Sequence, residues 1–244
     1  MPRFFVEPTA IADGGITISG DDARHIARSL RMAVGDEVTV CDGGGTEYSC
    51  RLLKIRDEQC DAEILSEAKS KAEPKHRITL YMAYPKGDKL ETVVQKAVEL
   101  GAHRIVPFES ERCIKRPAPE KAEKQTARLR RIADEAAKQC GRGVLPTVDT
   151  PIGFGAMLSE IKRHTLTLFC YEKESATTIR FAIENAADTS DIAVIVGAEG
   201  GFSEKEAEAI VREGAKCVTL GPRILRCETA PDYALSVISC FLEL

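Results

Sequence analysis

The chain lacks any C-x-x-C pair among its nine cysteines, so the spacing of a zinc or dithiol redox site is missing. The count is odd, and most of the thiols sit inside apolar runs such as Thr167-Leu168-Phe169-Cys170. Reduced, buried cysteines in a reducing compartment are therefore expected, not a disulfide framework. The four histidines, His25, His76, His103 and His164, are scattered and suggest no metal site. No segment approaches the roughly 18 apolar residues of a membrane span. Met1-Pro2-Arg3-Phe4-Phe5-Val6-Glu7 has none of the long apolar stretch of a signal peptide. A cytoplasmic protein without a membrane partner is the expectation. Internal repeats and low-complexity tracts are also missing. Positive charge is not in excess either: the formal net charge is -4. That argues weakly against a nucleic-acid binder, although whole-chain charge hides the local patches that phosphates feel.

What is present is a globular composition. The 244 residues are 43% hydrophobic and 30% charged, enough for a real core beneath a well-solvated surface. At about 100–200 residues per domain, one large or two modest domains are expected. The first seventy residues read as mostly β. Ile16-Thr17-Ile18, Glu37 to Cys41 and Ala62 to Leu65 are short strand-like runs separated by turn signals, with Gly43-Gly44-Gly45 as a hairpin turn. One helix interrupts them, from about Asp21 to Met32, with Arg24, His25, Arg28 and Arg31 on a shared face. The charged, proline-containing segment Glu67 to Lys75 reads as a linker.

Beyond it, strands and helices alternate. Ile78 to Tyr84, Arg104 to Phe108, Leu166 to Tyr171, Ile192 to Ala198 and Cys217 to Leu220 read as apolar strands. Helices are expected over Asp88 to Leu100, Glu120 to Cys140, Ser175 to Ala186, Ser203 to Glu213 and Pro231 to Leu242, with Asp88/Glu91 and Ser203/Glu206 as capping boxes. Such alternation implies an α/β fold with a parallel sheet covered on both faces.

Ligands of open α/β sheets bind at the carboxyl ends of the strands. Two such ends stand out. Gly197-Ala198-Glu199-Gly200-Gly201-Phe202-Ser203 runs from a buried strand through a glycine-rich turn, where glycines let a ligand approach the backbone. It has neither the G-x-G-x-x-G spacing of a dinucleotide site nor the G-K-[S/T] ending of a P-loop. Glu199 also disfavours a pyrophosphate and suits a ligand carrying positive charge. The second end is Leu220-Gly221-Pro222-Arg223-Ile224-Leu225-Arg226-Cys227-Glu228-Thr229-Ala230. Ile224 and Leu225 are apolar residues in a loop, suited to wall a flat ring, and Arg226 and Glu228 are charges at the mouth of the last helix. A plain strand–helix turn and an ordinary loop with a salt bridge remain alternatives for the two segments.

Together these two segments resemble the signature of the bacterial ribosomal RNA small subunit methyltransferase E family, of the SPOUT class. The likeness extends to Lys96-Ala97-Val98-Glu99-Leu100-Gly101, Arg104-Ile105-Val106-Pro107, Glu135 through Arg142, and His25 through Gly35, and so covers essentially the whole chain in order. Ala198, where proline is common, and Cys227, often threonine, depart from the pattern at backbone-shaping positions. The resemblance implies a PUA-like RNA-binding β-barrel over residues 1–72 and a methyltransferase domain with a C-terminal trefoil knot over residues 73–244. It implies a homodimer that uses S-adenosylmethionine, needs no metal, and methylates N3 of a uridine in 16S ribosomal RNA of the small ribosomal subunit (position 1498 in the usual rRNA numbering).

The same resemblance implies that Gly197, Glu199, Gly200, Gly201, Leu220, Gly221, Ile224 and Leu225 surround the cofactor, with Tyr171 and Glu172 lining the same pocket. Arg226 is the candidate for stabilising charge on the uracil. No general base is identifiable; Glu228 is a candidate, and capping of the last helix is its alternative role. For RNA, Arg3, Arg24, His25, Arg28 and Arg31 form a basic set in the first domain. Lys86, Arg112, Lys115, Arg116 and Arg142 lie in expected loops of the second, with ordinary solvated charge as the alternative. A SPOUT enzyme acting on transfer RNA, a non-catalytic RNA-binding or assembly protein, and a nucleotide-dependent oxidoreductase are the competing functions.

Overall fold

A computed structural model describes residues 1–114 and 119–244, and these divide into two compact units. The first comprises Met1–Glu73 with Ala137–Leu145; the second comprises Pro74–Ala136 with Pro146–Leu244. Lys115 and Arg116 lie outside the described residues.

The first unit is built on strands β1 (Arg3–Phe5), β2 (Ile11–Ala12), β3 (Gly15–Ser19), β4 (Glu37–Cys41), β5 (Thr46–Ile55) and β6 (Gln59–Lys69). They pair in the order β1-β4-β5-β6-β3-β2, antiparallel except for β1 beside β4. Alternation sets the core: Ile16 and Ile18 of β3, Val38 and Val40 of β4, and Cys50 and Leu52 of β5 are buried, while Thr17, Thr39 and Arg51 between them are more exposed. The Gly43 to Gly45 turn joins β4 to β5 as a hairpin.

Two features here differ from the sequence reading. The expected linker is partly strand, because Glu67, Ala68 and Lys69 pair with Tyr48, Glu47 and Thr46. All three are exposed, so backbone pairing and not side-chain burial holds them, and hydropathy gives no sign of it. The helix expected to reach Met32 ends sooner. Helix α1 (Gly20–Arg24) continues into a π turn over His25–Ser29, with the Leu30 amide bonded to the His25 carbonyl at 2.9 Å. Arg31 then adopts a left-handed conformation, φ 51°, outside the helix. The wide turn keeps Ile26 and Met32 together on the core, at the expense of the regular face that Arg31 was expected to share.

The second unit contains β7 (Arg77–Ala83), α2 (Lys89–Glu99), β8 (Arg104–Glu109), α3 (Pro119–Cys140, whose last residues belong to the first unit), β9 (Thr147–Val148), β10 (Ile152–Gly153) and α4 (Phe154–Ile161). It continues with β11 (Leu166–Cys170), α5 (Ile179–Glu184), β12 (Asp191–Val196), α6 (Glu204–Arg212), β13 (Lys216–Val218) and α7 (Thr229–Leu242). The sheet is entirely parallel in the order β10-β8-β7-β12-β11-β13, with β9 also on β8. Residues 192–196 of β12 are buried without interruption, as a central parallel strand covered on both faces requires. Helix α2 buries Leu90, Val93, Val94, Ala97 and Val98, one stripe of a 3.6-residue period.

Three local expectations change. Asp88 precedes α2 without a side-chain cap, and the Glu91 carboxylate instead accepts from Arg128 at 2.8 Å. Helix α5 is only six residues long, because the Glu174 carboxylate gathers the amides of Ser175, Ala176 and Thr177 into a turn and the helix begins after its Thr178 cap. Helix α4 has no counterpart in the sequence reading; its eight residues, with two buried side chains, are too short for a clear period.

Candidate functional site

Strands β12, β11 and β13 are neighbours and parallel, so their carboxyl ends converge on one edge of the sheet. The loops leaving those ends enclose a cavity of about 470 Å³. Its lining includes Tyr171 and Glu172 after β11, Gly197, Glu199, Gly200 and Gly201 after β12, and Leu220, Gly221, Ile224, Leu225 and Arg226 after β13. Every residue singled out for the cofactor, together with Arg226, thus falls on one cavity, whereas Glu228, the candidate base, is not part of its lining. Lys89, Cys170, Phe202, Thr219 and Arg223, which the sequence reading did not place there, line it too.

The turn after β12 is shaped by close packing. A Cβ on Gly197 would stand 2.9 Å from the Phe202 ring, and one on Gly201 would stand 2.9 Å from Glu172 Oε1. Gly201 also has φ 61°, a conformation that side-chain-bearing residues rarely adopt, and its amide closes the turn on the Ala198 carbonyl at 2.9 Å. The space freed by these glycines is filled by the protein's own side chains, a role that differs from the expected approach of a ligand to bare backbone. Beneath the turn, Phe202 stacks on Phe108 and meets Phe169 edge-on, and Phe169 stacks on Tyr171. The turn then enters α6 through the expected capping box. Ser203 Oγ accepts from the Glu206 amide, and the Glu206 carboxylate accepts from the Ser203 amide at 3.0 Å. That carboxylate also accepts from the Glu111 amide at 2.7 Å, tying the loop after β8 to the same point. Ser203→Ala should cost about 1 kcal/mol of stability, read by thermal or urea denaturation; an unchanged midpoint would show that the Glu206 contacts hold the turn alone.

Charge is distributed unevenly around the cavity. Glu199 pairs with Lys89 Nζ at 2.9 Å and accepts from the Lys86 amide. Burial opposes its ionisation, but Lys89 and the amide outweigh burial and hold the carboxyl below its usual range. Glu228 behaves alike: partial burial raises it, and its hydrogen bonds, with Cys227 and Lys89 among the donors, bring it below normal. Lys89 is correspondingly pushed up by its two carboxylate partners. Glu228 therefore makes no side-chain cap on α7 and no salt bridge with Arg226. Burial, with the Glu228 carboxylate beside it, raises the Cys227 thiol to about 12, so it is no thiolate. Among the described residues, the side chains of Glu172 and Arg226 have no hydrogen-bond or ion-pair partner, and both residues are exposed. With Glu199 engaged, the unshared carboxylate that can face a cation is Glu172.

The residues proposed for RNA do not form one class. Arg142 is only 2% exposed, and its guanidinium holds Glu73 at 2.8 Å, so it is a buried ion-pair partner and not an RNA-facing charge. Arg3 is spent on Glu47, at 2.6 Å, and on Cys41 Sγ. Arg24 and Arg28 are exposed but paired with Asp21 and Asp57; His25 and Arg31 are exposed, and Phe4 lies edge-on to His25. Lys86 and Arg112 flank the cavity, the latter donating to the Gly200 carbonyl at 3.1 Å. No helix among the described residues is long and apolar enough to cross a membrane.

The chain resembles known proteins along its full length. An RNA methyltransferase domain family matches residues 71–239, and an RNA methyltransferase PUA domain family matches residues 18–65. The Ribosomal RNA small subunit methyltransferase E of Bacillus subtilis is 33% identical, covering 100% of this chain and 98% of that protein. The chain belongs to the ribosomal RNA small subunit methyltransferase E family. The crystal structure of the family member from Neisseria gonorrhoeae, bound to S-adenosyl methionine, is 32% identical with a TM-score of 0.86, covering 99% of this chain and 98% of that one. A putative methyltransferase from Legionella pneumophila, in complex with the bound cofactor SAM, is 30% identical with a TM-score of 0.87, covering 98% and 97%. The family's two parts correspond to the PUA-like first unit and the α/β methyltransferase unit.

Proposed function

We propose that this methyltransferase E family member transfers a methyl group from S-adenosylmethionine to N3 of a uridine in 16S ribosomal RNA, with the cavity at the ends of β11, β12 and β13 as the cofactor site. The observation that carries this reading is the convergence of both signature loops on that single cavity. The residues fit the cofactor. A volume near 470 Å³ lies within the roughly 300–1,000 Å³ of small-molecule sites. Leu220, Ile224 and Leu225 offer apolar walls for an adenine, and Glu172 offers charge to an ammonium or sulfonium group. When bound, the cofactor supplies an electrophilic methyl group and its own leaving group.

The protein's share of the reaction is to orient, to exclude water and to stabilise charge. Uridine N3 must lose its proton before it attacks, and the developing negative charge spreads over the uracil. The Arg226 side chain, exposed on the cavity rim and without a hydrogen-bond or ion-pair partner among the described residues, is placed to meet that charge. Neither Glu228 nor Cys227 is poised as the base: Glu228 is held by Lys89 and Cys227, and the Cys227 thiol stays protonated. Proton loss to water or hydroxide is consistent with this arrangement. His25 and Arg31 in the first unit, with Lys86 and Arg112 in the second, are the proposed RNA-contacting charges. The reading also includes a homodimer acting on the small subunit in the cytoplasm and a trefoil knot. In support of the knot, the chain leaves the sheet edge at β13 and returns as α7 onto β12 at the sheet's middle.

Labelled S-adenosylmethionine, offered with small-subunit particles and with naked 16S rRNA, tests this directly. The expected product on nucleoside analysis is 3-methyluridine. Cofactor binding without 3-methyluridine on either substrate would move the target to another RNA, transfer RNA first.

A further inference from the structure

Three charged side chains from separate segments meet beside the cavity, with Lys89 and Glu199 in its lining. Lys89 opens α2, Glu199 sits in the glycine turn after β12, and Glu228 precedes α7. Lys89 Nζ lies 2.9 Å from Glu199 Oε1 and 3.2 Å from Glu228 Oε2. All three are partly withdrawn from water, with side chains 34%, 28% and 24% exposed. Each carboxylate is anchored a second time, Glu199 by the Lys86 amide at 3.2 Å and Glu228 by Cys227 Sγ at 3.2 Å. One ammonium therefore joins two of the loops that line the cavity.

We propose that Lys89 is a positioning residue for the cofactor: by bridging Glu199 and Glu228 it fixes the spacing between the glycine turn and the loop before α7. The inference rests on the cavity being the S-adenosylmethionine site. Without the ammonium, two carboxylates face each other with no cation between them, and like charges so placed repel. The loops then part, and the cofactor must draw them together as it binds, which weakens its affinity. Lys89 Nζ is engaged by the two carboxylates and by Cys227 Sγ at 3.8 Å, so its removal acts first on the wall, and the loss falls on cofactor KM more than on kcat. A filler role would respond only to side-chain size. A charge bridge responds to the sign and number of charges, and can be rescued by removing one of them.

The test is calorimetric titration of the full-length chain with S-adenosylmethionine, alongside melting curves and steady-state kinetics. The variants are Lys89→Met, Lys89→Arg, Glu228→Gln and the double variant Lys89→Met/Glu228→Gln. Lys89→Met should weaken binding about tenfold with kcat within about threefold, a difference near 1.4 kcal/mol by the usual conversion. Lys89→Arg should stay within about threefold of the parent. Glu228→Gln alone should weaken binding only a few-fold, because the remaining wall keeps its cation. The double variant should bind more tightly than Lys89→Met, a non-additive pair. If Lys89→Met melts too early to titrate, Glu228→Gln still decides: an affinity equal to the parent overturns the bridge. Parent-like affinity in Lys89→Met, or a double variant no better than it, overturns the inference alone. A parent chain that binds no S-adenosylmethionine overturns the cofactor reading, and the inference with it.

Discussion

Arg226→Ala is expected to lower methyl transfer by roughly 100- to 1,000-fold at saturating cofactor, the range seen when a donor aimed at developing charge is removed. Arg226 lines the cavity and is exposed, and its side chain has no hydrogen-bond or ion-pair partner among the described residues. Removing the guanidinium therefore breaks no hydrogen bond or ion pair among the described residues, and the melting midpoint should stay within about 1 °C of the parent, consistent with the small effects of surface substitutions. S-adenosylmethionine affinity should change by less than about threefold, because the proposed partner is the uracil and not the cofactor. Arg226→Lys should recover part of the rate, since it keeps the charge but not the planar fork. Single-turnover transfer to small-subunit particles, with cofactor affinity measured separately, distinguishes the cases. Parent-like turnover in Arg226→Ala would sink the assignment; a loss confined to cofactor binding would move Arg226 to the cofactor.

The second large effect is expected in the first unit and concerns stability. Arg142→Ala should destabilise the protein by about 3–5 kcal/mol, as removal of one partner from a buried pair does. The Arg142 side chain is 3% exposed and Glu73 14%. Glu73 Oε1 also accepts from the amides of Gly143 and Val144, at 2.9 and 3.1 Å, so the carboxylate stays buried when the guanidinium goes. Burial alone would raise the Glu73 carboxyl, but Arg142 and the two amides overcome it and hold it below its usual value. A carboxyl depressed in the folded state stabilises the fold above its unfolded value, near 4.3, and loses that contribution as pH falls through the folded value. The parent should thus lose stability on acidification below about pH 4 partly through Glu73, and Arg142→Ala should lose less there because the pair is already broken. Urea denaturation at pH 7 and at lower pH measures both. A midpoint unchanged by Arg142→Ala, together with weakened RNA binding, would return Arg142 to the RNA face.

Arg142 illustrates where reading the chain stops. Its charge and its loop position fit an RNA contact, but its partner Glu73 lies 69 positions away, and nothing local announces the pair. Lys89 is similar: it reads as the ordinary start of a helix, while Cys227, which it touches, is 138 positions distant. The capping box of Ser203 and Glu206 was legible because both residues and the amides they satisfy lie within one helical turn. Asp88 and Glu91 show the same pattern and form no such box, because Arg128 of α3 claims the Glu91 carboxylate. In the sequence the glycines of the turn after β12 read as room for a ligand at the backbone, with a plain tight turn as the alternative. That Phe202 and Glu172 fill the room they leave depends on where two other side chains arrive.

The sequence by itself determined the alternation of apolar strands and amphipathic helices, and hence the parallel sheet, because burial patterns of period 2, period 3.6 and uninterrupted runs are local properties. It also singled out the two loops that meet at the cavity, since each follows an apolar strand. Tertiary structure alone decided that three strand ends share one cavity, and that Glu199 is neutralised by Lys89 while Glu172 and Arg226 stay unpaired. The physical reason is that a charge's role depends on what stands within a few ångströms of it. In a sheet whose order departs from chain order, those neighbours come from distant parts of the sequence.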